Sequence, residues 1–154
     1  MLLTDILAPN CVLVPMQAAD KRAAIEELVN LLADAGKSND RAKLLAAVME
    51  REATRSTGIG NGLAIPHGKS ATVTQLTMAI GKPAQPIEFE SIDGRPVSLI
   101  VLLASPPDQT GPHIQALARV SRLMTIESFR IKLMATTSPD ELYELLRKQE
   151  SLMP

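Results

Sequence analysis

Apolar residues along the chain fall into short runs and helical stripes, with no internal repeat. Cys11-Val12-Leu13-Val14 reads as a short strand closed by Pro15. Ile25, Leu28, Val29 and Leu32 then recur at spacings of three and four, the stripe of an amphipathic helix. Asp20 is placed to cap its start, and Gly36 stands where a left-handed residue closes a helix. Asn39 or Asp40 caps a second helix, which carries Leu44, Leu45, Val48 and Met49 to about Ala53.

The pattern changes at Ser56-Thr57-Gly58-Ile59-Gly60-Asn61-Gly62, three glycines in seven residues, where unusual backbone angles are required. Leu63-Ala64-Ile65 follows as a short apolar strand, and another strand is expected from Thr74 to Ile80. Asp93-Gly94 reads as the turn between a strand at Ile87-Phe89 and one from Val97 to Ala104. The last of these is apolar throughout, as in a strand covered on both faces. After the polar loop Ser105–Pro112, a helix is expected from His113 to about Met124 with Ile114, Leu117 and Ala118 on one face. Ser138-Pro139-Asp140-Glu141 is a capping box with proline at the first helical position, opening a helix that carries Leu142, Leu145 and Leu146. The expectation is α/β: a single domain over residues 1–154, with a mixed β-sheet of about five strands and helices on both faces.

Composition narrows the function classes. The 154 residues carry 16 basic and 17 acidic side chains, a formal charge of −1, without the basic excess of a nucleic-acid footprint. Phe89, Phe129 and Tyr143 are the only aromatics, so a base-stacking platform is not expected and the core must be aliphatic. Cys11 is the single cysteine and has no internal disulfide partner. The start lacks a basic leader region, and the apolar run Leu99 to Ala104 is far short of the ~18 residues of a membrane span. A soluble cytoplasmic protein with no membrane insertion is expected.

The phosphate-binding fingerprints do not fit. Gly58-x-Gly60 is followed by Leu63 where a dinucleotide fold needs its third glycine. Gly68-Lys69-Ser70 ends like a P-loop, but Leu63 occupies the position of its first glycine. No cofactor is therefore expected. The two histidines are more informative: His67 closes an apolar strand within Ile65-Pro66-His67-Gly68, and His113 follows Gly111-Pro112 at a helix start. Both are candidates for the carboxyl edge of the sheet, where α/β proteins place their sites, and the helix start beneath His113 would favour an anion. Three readings stand on residue chemistry. The histidines are incidental turn residues, or they form a zinc site completed by a carboxylate such as Asp108, or they carry phosphoryl chemistry. Among cations, Arg51, Arg55 and Lys69 are equally available.

The fourteen residues from Ser56 to Lys69 strongly resemble the active-site segment of enzyme IIA proteins of the mannitol/fructose class, in the phosphoenolpyruvate-dependent phosphotransferase system. Asp108-Gln109-Thr110-x-x-His113 resembles that family's second histidine segment. The likeness extends over nearly the whole chain and is greatest to the nitrogen-regulatory branch. It implies that His67 accepts a phosphoryl group from an HPr-like phosphocarrier, on Nε2, with the other ring nitrogen held by a backbone carbonyl. It implies that His113 hydrogen-bonds the phosphoryl oxygens and that Arg51 neutralises their charge. Ser56 and Thr57 are candidate hydroxyl donors, and Leu63, Ile65 and Met124 a candidate apolar rim for a docking partner. Regulatory targets such as potassium-transport or sensor-kinase proteins are implied for the nitrogen branch. The alternatives are a sugar-specific IIA that passes its phosphoryl group to a IIB cysteine, and a binding module whose His67 is structural.

Overall fold

The apolar run at Leu99 becomes the middle strand of the sheet, and the rest of the chain is arranged around it. The computed structural model describes residues 1–153. In chain order the elements are β1 (Leu7–Met16), α1 (Lys21–Asp34), α2 (Arg41–Thr54), β2 (Gly58–Gly60), β3 (Leu63–Ala64), β4 (His67–Lys69), β5 (Thr77–Pro83), β6 (Leu99–Ser105), α3 (Thr110–Leu123), α4 (Glu127–Met134) and α5 (Pro139–Ser151). The strands lie in the order β1-β5-β6-β3-β2, and β4 pairs with β6 beyond β3. β1/β5, β3/β6 and β4/β6 are parallel, while β5/β6 and β2/β3 are antiparallel. The sheet is mixed, as expected, with six strands because the glycine segment is divided into several short ones.

Strand alternation distributes the helices over two faces. Met78 and Ile80 of β5 face the same apolar space as Val120, Leu123, Phe129, Leu133 and Leu146 from α3, α4 and α5. Gly81, one residue further on, faces the other way: a Cβ there would sit 2.9 Å from Leu28 of α1. Every residue of β6 is buried, which explains why its sequence is apolar without alternation.

Several boundaries differ from the periodicity reading. β1 runs well beyond Cys11–Val14 and includes Pro9 and Pro15. It pairs on one side only, with β5, so its prolines do not interrupt a central ladder. The strand expected at Thr74 begins at Thr77 and continues to Pro83. The hairpin expected across Asp93-Gly94 is reduced to one bridge between Ile87 and Val97, although Gly94 does turn there with φ +70°. α3 starts at Thr110, and its buried face is His113, Ala116, Val120 and Leu123; Ile114 and Ala118 are exposed and Leu117 is half-buried. α4 had no clear apolar stripe in sequence and buries only Phe129 and Leu133.

The helix caps follow the sequence more closely. The Asp20 and Asp40 carboxylates accept from the Ala23 and Lys43 amides at 2.9 and 3.1 Å, so Asp40 rather than Asn39 opens α2. Ser138 Oγ accepts from the Glu141 amide at 3.2 Å, but the Glu141 carboxylate returns to Thr137 rather than Ser138. Only half of the expected capping box forms.

Candidate functional site: a histidine pair at the sheet edge

The glycine segment is anchored from beneath by a buried carboxylate. Glu52, in the last turn of α2, accepts from the Thr57 amide at 2.8 Å and from the Thr57 hydroxyl at 2.5 Å. Its charge is met by the Lys21 ammonium at 2.8 Å. Ser56 Oγ donates to the Phe89 carbonyl at 2.5 Å and accepts from the Gly58 amide at 3.1 Å. Both hydroxyls offered by the sequence as phosphoryl donors are therefore committed to shaping the segment. Gly58 is required by packing, because a Cβ there would lie 2.2 Å from Ser91 Oγ and 2.9 Å from Ser91 Cα. Gly60, Asn61 and Gly62 all have positive φ and reverse the chain between β2 and β3.

β4 then presents His67. Its neighbour Gly68 packs on α2, where a Cβ would meet the Val48 amide nitrogen and Cγ2 at 3.0 Å. Alternation turns His67 to the opposite face, toward α3. His67 Nδ1 lies 2.9 Å from the Ile65 carbonyl oxygen. A carbonyl can only accept, so the proton sits on Nδ1 and Nε2 keeps its lone pair.

His113 packs edge-on against His67, with ring centroids 5.4 Å apart and planes at 65°. It is buried, and its Nδ1 lies 2.6 Å from the hydroxyl of Ser105, at the carboxyl end of β6. Because α3 opens at Thr110, the His113 amide is already bonded to the Gln109 carbonyl, and Pro112 has no amide proton. Within the first turn, only the Thr110 and Gly111 amides remain as the helix-start donors expected under His113.

Both rings are neutral at pH 7. Burial pushes His113 down to about 4, helped by the nearby His67 and by Lys69. Burial also lowers His67, with Arg51 and Lys69 acting in the same direction, against the Ile65 hydrogen bond and the Glu52 carboxylate.

His67 opens into a groove of about 260 Å³ whose walls include Arg51, Arg55, Ile59 and Ile92. Arg51 is held there by a 3.1 Å bond from its Nη1 to the Arg55 carbonyl. The Lys69 ammonium instead bonds Thr110 Oγ1 at 2.7 Å. Leu63, Ile65 and Met124 are buried, so they do not form an exposed rim. The exposed apolar residues of the groove are Ile59 and Ile92, 42% and 68% accessible. The sequence reading singled out neither: Ile59 stands between two glycines, and nothing in the local pattern marks Ile92. Glu52 and Ser105 were also missed, since an isolated acidic residue in a helix and a serine before two prolines carry no signal of burial. The zinc reading lacks its ligands: among the described residues no three His, Cys, Asp or Glu side chains gather as a metal site.

Residues 5–149 match the family model for the phosphoenolpyruvate-dependent sugar phosphotransferase system, EIIA 2, and the chain belongs to that family. It is 34% identical over 144 residues to the nitrogen regulatory protein of Bradyrhizobium diazoefficiens, covering 94% of each chain. It is 33% identical over 150 residues to the fructose-specific EIIABC component of Bacillus subtilis, covering 97% of this chain but spanning only 24% of that protein's length. The structure superimposes on that of nitrogen regulatory protein IIA-Ntr from Neisseria meningitidis with a TM-score of 0.86 at 34% identity, over 94% of this chain and 98% of the other. Among the described residues no helix is long and apolar enough to cross a membrane.

Proposed function

We propose that the protein is a phosphohistidine carrier of a nitrogen-regulatory phosphotransferase system, working in the cytoplasm. It takes a phosphoryl group on His67 from an HPr-like phosphocarrier, itself charged through enzyme I and phosphoenolpyruvate. The observation that carries this reading is the 2.9 Å contact between His67 Nδ1 and the Ile65 carbonyl, which leaves Nε2 as a free lone pair in an arginine-containing groove.

In the proposed step, Nε2 attacks the phosphorus of the donor's phosphohistidine. A new N–P bond forms as the donor's N–P bond breaks, and the electron pair returns to the donor imidazole. The transferred group brings nearly two negative charges. Arg51 supplies the cationic complement and His113 a ring N–H. Because His113 is uncharged, the site holds the anion without trapping it, which suits a group that must be passed on. Addition of that charge beside Ile59 and Ile92 changes the surface offered to regulatory targets, including potassium-transport or sensor-kinase proteins.

A sugar-specific role, passing the group to a IIB cysteine, is favoured by one observation: the likeness to the fructose-specific EIIABC component over 97% of this chain. Intact mass after incubation with phosphoenolpyruvate, enzyme I and a phosphocarrier tests the carrier reading. The expected result is an acid-labile gain of one phosphoryl group that disappears in His67→Ala. No gain in folded protein with an active donor chain overturns it. Transfer onward to purified IIB would assign the sugar role.

A further inference from the structure

Ser105 has no place in the sequence motifs, yet its hydroxyl makes the shortest polar contact to either histidine. It is fully buried, and its Oγ lies 2.6 Å from His113 Nδ1. Two arrangements of protons satisfy that distance, and they have opposite consequences. If His113 Nδ1–H donated to Oγ, the serine's own proton would need another acceptor. None is within reach among the described residues, where His113 is the hydroxyl's sole hydrogen-bond partner. A buried hydroxyl proton without an acceptor is costly. If Ser105 donates, its proton is satisfied and the ring proton stays on Nε2.

We propose that Ser105 is a positioning residue whose hydroxyl donates to His113 Nδ1, holding that ring as the Nε2–H tautomer and fixing its orientation beside His67. The two rings are thereby given opposite tautomers by different partners. The Ile65 carbonyl places the His67 proton on Nδ1, and the Ser105 hydroxyl places the His113 proton on Nε2. One ring presents a nucleophile and the other a donor. The consequence for transfer rests on the carrier reading above; the assignment of the proton does not.

Long-range proton–nitrogen spectra of protein labelled with 15N-histidine test the assignment without any phosphoryl donor. At neutral pH, His113 is expected to show a protonated Nε2 and a hydrogen-bonded, unprotonated Nδ1, while His67 shows the reverse. In Ser105→Ala the His113 Nδ1 resonance should move to that of an unbonded imine nitrogen, and phosphoryl acceptance by His67 should slow about fivefold, the loss of one net hydrogen bond. A proton on His113 Nδ1 in the unsubstituted protein overturns the proposal, a result that needs no variant to fold. So does an unchanged Nδ1 resonance, or an unchanged rate, in folded Ser105→Ala. If the unsubstituted protein accepts no phosphoryl group at all, the carrier reading fails, and the spectra still decide where the proton sits.

Discussion

His67 and His113 reach each other from different elements, a short strand and the first turn of a helix, with ring centroids 5.4 Å apart and planes inclined at 65°. Each has its Nδ1 held by an oxygen of the sheet-edge framework, Ile65 O for one and Ser105 Oγ for the other. Neither ring is free to turn, and the consequences are measurable.

Stability should depend on pH through His113. Its folded value is about 4, below the ordinary 6.5. Between these values the unfolded chain binds a proton that the folded chain does not, so stability rises with pH across this window and is complete above it. From pH 7 down to pH 4 the loss from this one residue should be about 3 kcal/mol. Denaturant midpoints measured across pH check this, and His113→Gln should flatten the slope.

The rate of phosphoryl acceptance should hold steady through neutral pH and fall only in acid. In the proposed step His67 reacts as the neutral ring, and its pKa is lowered from 6.5 chiefly by burial. A quenched-flow pH profile that rises toward acid would contradict the proposed nucleophile.

Removing the proposed cationic partner of the phosphoryl group should act twice. In Arg51→Ala the rate of acceptance is expected to fall about a hundredfold to a thousandfold, the scale for loss of one preorganised donor to developing charge. The His67 pKa, which Arg51 depresses, should rise, and NMR titration of the ring reads that change even where no donor is present.

Gly68→Ala should destabilise by about 1–3 kcal/mol, because the new Cβ meets backbone of α2 rather than a yielding side-chain tip. It should also slow transfer by displacing the helix that carries Arg51. Gly111→Ala, at an open position in the first turn of α3, should be neutral or stabilising by about 0.5 kcal/mol. Thermal unfolding of the two variants side by side checks the contrast.

Glu52→Ala would leave Lys21 with only Glu90 at 3.6 Å and the Phe89 carbonyl at 3.4 Å, and would free both polar groups of Thr57. A cost of about 3 kcal/mol or more is expected for breaking such a buried pair from one side. Adding Lys21→Met should recover part of it, and faster hydrogen exchange at the Thr57 amide would locate the damage in the glycine segment.

Much of this architecture was written locally. The stripes at Ile25–Leu32 and Leu44–Val48, the aspartate caps, Gly36 and the uniformly apolar β6 all follow from short-range periodicity and backbone preference. So did the two histidines, marked by proline and glycine beside them. The α3 face was misread because its hydrophobic signal, Ile114, points outward, while the buried side includes a polar His113. The expected hairpin at Asp93-Gly94 failed because the loop is held by contacts to the glycine segment, including Asp93 Oδ2 with the Asn61 amide at 3.2 Å.

The sequence by itself thus determined the element types, the unusual backbone of the glycine segment and the residues able to do chemistry. It could not show that Lys69 bonds Thr110 while Arg51 and Arg55 line the groove, that the Ser56 and Thr57 hydroxyls are already occupied, or that Glu52 and Ser105 are buried. Tertiary structure decided these. Propensity and periodicity act over a few residues, whereas a ring's tautomer and a carboxylate's burial depend on partners from other elements. Here those partners meet only after β4 and β6 pair and α2 and α3 pack on opposite faces of the sheet.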